Sequence, residues 1–282
     1  MKMETIGIVG AGQMGTGIAQ VCAAAGLDVV LNDVDANALQ RGMERLEAGY
    51  ERLISKGKLT AADVDQAMGR VKTAPELSAL GACDVVIEAA TENVGVKQQI
   101  VRALDAIAKP DAIVATNTSS VSITQLAATL ADPSRFVGMH FFNPVPAMAL
   151  VEVIRGMQTS DATFDAIVSL AERLGKSAIQ VKNAPGFVVN RILVPMINEA
   201  VFALQEGLAS AEEIDAGMRL GANHPMGPLA LADLIGLDTV RSIMDVIQRE
   251  TGDTKYRPAS LLKEMVDAGY LGRKTKRGFY SY

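Results

Sequence analysis

The chain has 282 residues, enough for one large domain or two ordinary ones, and 49% of them are hydrophobic, which supports a substantial core. The net charge is −5 and the basic residues are scattered. That argues against nucleic acid or an anionic membrane as partner, while leaving room for a local basic patch toward a phosphorylated ligand. Cys22 and Cys83 have neither metal-ligand spacing nor a disulfide framework, so both are expected to pack as small apolar residues and no metal is expected. The opening "MKMETIGIVGAG" enters a strand at once without signal-peptide architecture, and no apolar run has membrane-spanning length, so a cytoplasmic soluble protein is expected.

In chain order, "TIGIVG" is a short β-branched run and "GTGIAQVCAAAG" an Ala-rich helix closed by glycine. "DVVLND" is the next strand, and "ANALQRGMERLEAGYERLISKG" a long helix with a mixed polar face. "DVVIEAA" and "AIVATNTS" are buried-strand candidates, separated by the helical periodicity of "VGVKQQIVRALDAIAK". Strands alternating with helices predict a parallel sheet covered on both faces. "FVGMHF", "LVEVIR" and "SAIQV" add strands at its far side. The pattern changes at "KNAPGFVVNR". Beyond it come "FVVNRILVPMINEAVFALQEG", a very apolar helix expected to bend or break near Pro195, then "SAEEIDAGMRLG" and "GPLALADLIGLDTVRSIMDVIQRE", a third helical stretch. No strand is expected again until the last few residues. The expected organisation is therefore an α/β domain over residues 1–184 and an all-α domain over 185–282. The helical part is too apolar for a short isolated bundle, so it is expected to bury surface against a second copy as a homodimer.

Residues 10–15 read "GAGQMG", with Gly10, Gly12 and Gly15 in the spacing of a dinucleotide loop. Alone the pattern is weak. Here it follows a strand and opens a helix, and the next strand ends at Asp33, 18 residues after Gly15, where an acid would bind an adenosine ribose. Gly10 permits the tight turn, Gly12 lets backbone approach a pyrophosphate, and Gly15 lets the helix pack on the strand. The helix N-terminus then offers N–H groups to the anion. This predicts a Rossmann-like doubly wound sheet. Asp33 would accept the ribose hydroxyls of NAD and repel the extra phosphate of NADP, although Arg41 is near enough in sequence to soften the discrimination.

His140, in "GMHFFNP", is one of two histidines, and a lone histidine in an apolar run is more often a core residue than a catalyst. Its surroundings change that balance. Glu152 interrupts the apolar strand "ALVEVIRG", and a buried carboxylate needs a partner such as a histidine on a neighbouring strand. Ser119 follows a strand end, where open α/β folds hold ligands. Asn190 is an amide among "FVVNRILV". Each has a bland alternative: a strand-edge charge, a helix cap, a surface amide. Together, beside a nicotinamide-type site, they favour catalysis.

These stretches, with "DVVIEAATEN", "NTSSVSIT", "GANHPMGPLALADLIGLD" and "GRKTKRGFYSY", resemble the L-3-hydroxyacyl-CoA dehydrogenases, most closely the short bacterial 3-hydroxybutyryl-CoA type, over essentially the whole chain. The resemblance implies an NAD-dependent oxidoreductase interconverting 3-hydroxybutyryl-CoA and acetoacetyl-CoA. It implies His140 as general base, Glu152 as its partner, Ser119 in contact with substrate and cofactor, and Asn190 in substrate positioning. It implies Glu92, Lys97 and Asn143 along the nicotinamide half of NAD. Gln13 and Met14 in the loop, and Lys274 near the C-terminus, join the cofactor-binding set. For the CoA end, "ERLISKGK" offers Arg52, Lys56 and Lys58, of which the resemblance points to Lys56. One departure stands out: Lys276 occupies a position where the family commonly has glycine. The alternatives are a dehydrogenase of another small hydroxy acid, a non-catalytic NAD-binding protein, and a lyase or isomerase that keeps its NAD.

Overall fold

Short β-branched runs that are apolar on both faces cannot stay in water, and in this chain they assemble side by side. The computed structural model describes residues 3–282; Met1 and Lys2, where the stretch expected to lack a leader begins, lie outside them. The chain folds as two compact units, Met1–Ala184 and Pro185–Tyr282.

In the first unit the strands are β1 (Thr5–Val9), β2 (Asp28–Asn32), β3 (Val71–Ala74), β4 (Val85–Glu88), β5 (Ile113–Thr116), β6 (Phe136–Phe141), β7 (Leu150–Arg155) and β8 (Ser177–Lys182). Among the described residues they form one sheet in the order β3-β2-β1-β4-β5-β6-β7-β8. The first six positions run parallel in the doubly wound order, and β7 pairs antiparallel with β6 before β8 pairs parallel with β7. The central strands are buried along their length, as strands covered on both faces must be. Helices α1 (Gln13–Ala24), α2 (Ala36–Ser55), α3 (Ala61–Gly69), α4 (Val94–Ile107), α5 (Ile123–Ala127) and α6 (Asp161–Arg173) complete the unit.

The second unit is helical: α7 (Val189–Gln205), α8 (Ala211–Gly221), α9 (Pro228–Ile235), α10 (Leu237–Thr251) and α11 (Ser260–Asp267). Its core gathers Val194, Ile197, Val201, Leu229, Leu237 and Met244 among others.

Several expectations need correction here. α7 is one helix through Pro195, so the interruption expected there does not occur; the apolar stripe of Val194, Ile197 and Val201 holds it against the core despite the lost backbone donor. The third helical stretch is two helices, divided at Gly236, whose φ of +103° no right-handed helix contains. No strand closes the chain among the described residues; the tail makes only isolated bridges, Gly272 with Arg277 and Arg277 with Ser281. Asp233 instead holds it, accepting from the amides of Phe279 and Tyr280 at 3.0 and 2.9 Å. Lys276 stands in the left-handed region at φ +57°, so the turn keeps the backbone a glycine would suit.

Candidate active site

The carboxyl ends of β1, β4, β5 and β6 point to one edge of the sheet, and the sequence-predicted residues of the first unit collect there. At β1 the chain turns through Gly10, φ +103°, whose amide donates to the carbonyl of Asn32 at 2.7 Å. A Cβ on Gly10 would lie 2.7 Å from the carbonyl oxygen of Ala89, and one on Gly15 would lie 1.8 Å from that of Gly10. Both positions therefore exclude any side chain. A Cβ on Gly12 would meet nothing within 4 Å, so its face is open. Gly12 is also the N-cap of α1, with no side chain capping the helix. An uncapped helix start behind an open glycine is a cradle for a phosphate-bearing group. Asp33 is fixed beside it: its carboxylate accepts from the amide of Ala11 at 2.8 Å and of Asp35 at 3.1 Å. Arg41 is bonded to Asp35 at 3.3 Å. Gln13 is exposed and donates through Nε2 to Asn143 Oδ1 at 3.0 Å, while Met14 packs partly buried against the core.

The register of the antiparallel pair sets His140 opposite Glu152, so both side chains share a face. His140 Nδ1 lies 2.8 Å from Glu152 Oε2, with Glu152 fully buried and His140 nearly so. A carboxylate there makes Nδ1–H the donor and assigns proton exchange to Nε2. The ring of Phe142 lies 4.6 Å from the imidazole, and Asn117 Oδ1 accepts from the amide of Phe141 at 2.9 Å. The turn after β6 is held by Lys176, whose ammonium donates to the carbonyls of Val145 and Met148 at 2.7 and 2.8 Å. Burial draws its pKa below the usual lysine value.

Ser119 lies in the loop after β5. Its amide and hydroxyl both donate to Glu92 Oε1, at 2.8 and 3.0 Å, and Thr118 donates to Glu92 Oε2 at 2.6 Å. Lys97 does not reach this surface. It is buried behind it, bonded to Glu88 at 2.6 Å and 3.9 Å from Glu92. Glu88 was not singled out from sequence, although a carboxylate closing the apolar run "VVIE" carries the same signal that marked Glu152.

Arg52, Lys56 and Lys58 line an open cleft of about 380 Å³ in the first unit, together with Gln13 and Asn143. Arg45 completes the basic lining and donates to the carbonyl of Ala11 at 3.0 Å; it lies two turns before Arg52 on the same face of α2, outside the contiguous "RLISKGK" stretch that the sequence reading singled out. In the second unit, Asn190 is half-buried at the second position of α7, and Lys274 is bonded to both carboxylate oxygens of Asp238 at 2.6 Å. Burial pushes the thiols up, Cys22 to about 12 and Cys83 to about 11, so neither is a nucleophile at neutral pH. Among the described residues, no cluster of three or more His, Cys, Asp or Glu side chains is arranged to hold a metal ion, and no helix is long and apolar enough to cross a membrane.

Residues 5–184 match the model of the 3-hydroxyacyl-CoA dehydrogenase NAD-binding domain, and residues 186–282 match that of the 3-hydroxyacyl-CoA dehydrogenase C-terminal domain. The chain is 53% identical over 280 residues to a 3-hydroxybutyryl-CoA dehydrogenase of Bradyrhizobium diazoefficiens, covering 99% of this chain and 96% of that protein. It is 50% identical over 282 residues to a probable 3-hydroxybutyryl-CoA dehydrogenase of Bacillus subtilis, covering 100% and 98%. The crystal structure of an (S)-3-hydroxybutyryl-CoA dehydrogenase from Ralstonia eutropha superimposes with a TM-score of 0.97 at 58% identity, covering 100% of this chain and 99% of that one.

Proposed function

The chain belongs to the 3-hydroxyacyl-CoA dehydrogenase family, and on that premise we propose that it interconverts 3-hydroxybutyryl-CoA and acetoacetyl-CoA, with His140 as general acid and base. Its cofactor is NAD, and the open Gly12, the excluded side chains at Gly10 and Gly15, and the fixed carboxylate of Asp33 fit that group. Bound NAD supplies the acceptor of the hydride in oxidation, and NADH its donor in reduction.

The observation that carries the proposal is the buried 2.8 Å contact between His140 and Glu152 at the ligand-binding edge of the sheet. In oxidation, His140 takes the C3 hydroxyl proton at Nε2 as the C3 hydrogen leaves with its electron pair. Glu152 fixes the tautomer beforehand and stabilises the imidazolium afterwards. In reduction, the same nitrogen returns the proton to the forming alkoxide. Help of this kind is worth about 10²–10⁴-fold, with alignment supplying much of the remainder. Ser119, held by Glu92, orients the reacting groups. Asn190 is assigned substrate positioning, and Glu92, Asn143 and Lys274 cofactor positioning, on family membership; Lys97, buried behind that surface, would serve the cofactor only through its neighbours.

The basic cleft bounded by Arg45, Arg52, Lys56 and Lys58 suits the phosphates of CoA on a protein that is acidic overall. The second unit exposes Ile192, Leu208, Leu220 and Leu234, which supports a homodimer formed through its helices. The cytoplasm, where NAD and acyl-CoA meet, is the proposed compartment. The test is NADH absorbance in the presence of acetoacetyl-CoA: turnover supports the proposal, and folded protein that binds NADH without consuming it refutes it.

A further inference from the structure

Two charges, Glu88 and Lys97, are buried beneath the Ser119 loop. Glu88 ends β4 and Thr116 ends β5, and the parallel register sets them side by side. Glu88 is fully buried. Its Oε2 accepts from Lys97 Nζ at 2.6 Å and from Thr116 Oγ1 at 2.7 Å, and its Oε1 accepts from the amide of Ala90 at 2.9 Å. Lys97 is the fourth residue of α4 and is 1% exposed. A cation near a helix N-terminus opposes the helix dipole. An ion pair taken wholly out of water is commonly no better for stability than apolar side chains of similar volume. The pair nonetheless sits at the carboxyl ends of parallel strands, where such folds bind ligands.

The neighbour that explains it is Glu92. This carboxylate is committed to the loop: it accepts the amide and hydroxyl of Ser119 and the hydroxyl of Thr118. Lys97 Nζ lies 3.9 Å from it, beyond hydrogen-bond length, because Glu88 holds the ammonium back. The arrangement also fixes the polarity of Ser119. Its hydroxyl proton points to Glu92, so the oxygen presents lone pairs to a ligand.

We infer that Glu88 is a positioning residue for Ser119, acting through Lys97 and Glu92. This rests on the proposed ligand-contacting role of Ser119. Without the Glu88 charge, Lys97 has Glu92 as its nearest carboxylate and is drawn to it, in competition with Ser119 and Thr118. Ser119 then loses the acceptor that orients it.

The test is Glu88→Gln in the full chain, which keeps shape and removes charge. Two readouts are needed: hydrogen exchange at the Ser119 amide, followed by NMR, and kcat/KM for acetoacetyl-CoA with NADH. Exchange at Ser119 should accelerate about tenfold, the scale of one hydrogen bond to a charged group, and kcat/KM should fall by a similar factor. In a Ser119→Ala background, Glu88→Gln should change kcat/KM less than about twofold, the non-additivity of residues acting in one network. Should Glu88→Gln not fold, Glu88→Asp, which keeps the charge and shortens the reach, should show the same pattern with smaller losses. Unchanged exchange at Ser119, or independent effects of the two substitutions, overturns the inference. Faster Ser119 exchange in a protein whose wild type leaves acetoacetyl-CoA untouched would refute the proposed reaction while supporting the role of Glu88.

Discussion

At the scale of single residues, the candidate site was legible where a polar group broke an apolar pattern. Glu152 interrupts a buried strand, so a partner was required, and His140 supplies it at 2.8 Å. Asp33 was legible from its distance to the glycine loop. Its carboxylate already accepts two backbone amides, which fixes it at the end of β2 with lone pairs remaining for ribose hydroxyls. Arg41 is paired with Asp35 on the surface at 3.3 Å, so a 2′-phosphate would have to compete with that carboxylate for it. Wild-type enzyme should therefore use NADH in preference to NADPH, and Asp33→Ala should weaken NADH use and narrow the gap. Comparable kcat/KM values for the two cofactors in the wild type would contradict this. Lys97 shows where residue-level inference ended. The family resemblance placed it along the nicotinamide, but only the packing of α4 against β4 reveals that Glu88 draws it inward.

At the scale of elements, periodicity found most of the long or doubly buried segments, but α6 went unread although Ser160 caps it and Phe164, Ile167 and Leu170 form its buried stripe. Strands β4 to β7 could be followed in the sequence because they are largely apolar and buried, and β8, an edge strand with only Val181 buried, by its short apolar core. α3 and β3 escaped notice for the opposite reason. α3 buries little beyond Ala67, and β3 is an edge strand with two exposed residues in four, so neither leaves a strong stripe. The capping box at Thr60 and Asp63 was the available signal. The break between α9 and α10 hinges on one glycine within an apolar stretch, which periodicity alone reads straight through. α2 carries the prediction at this scale, because it brings Arg45, Arg52 and Lys56 to one cleft. Lys56→Ala should raise the KM for acetoacetyl-CoA several-fold with little change in kcat, the mark of binding lost equally in ground and transition states. Lys56 is exposed, so the effect should shrink as salt is added. An unchanged KM would place the CoA phosphates elsewhere.

At the scale of the whole molecule, the division of labour follows composition. The first unit places strand ends, and the second is apolar beyond what its own core uses. The exposed Ile192, Leu208, Leu220 and Leu234 are the reason to expect a dimer, and light scattering at micromolar concentration should return about twice the chain mass of 29.8 kDa. A stable monomer would instead leave those side chains in water. The proposed mechanism turns on one ring, that of His140. The most direct measurement takes kcat, NADH affinity and melting temperature from a single preparation of His140→Gln. The proton-transfer role predicts a fall in kcat of about 10²–10⁴-fold, with NADH affinity and melting temperature close to wild type. Near-normal turnover in protein that remains folded would contradict it and leave His140 as a core residue.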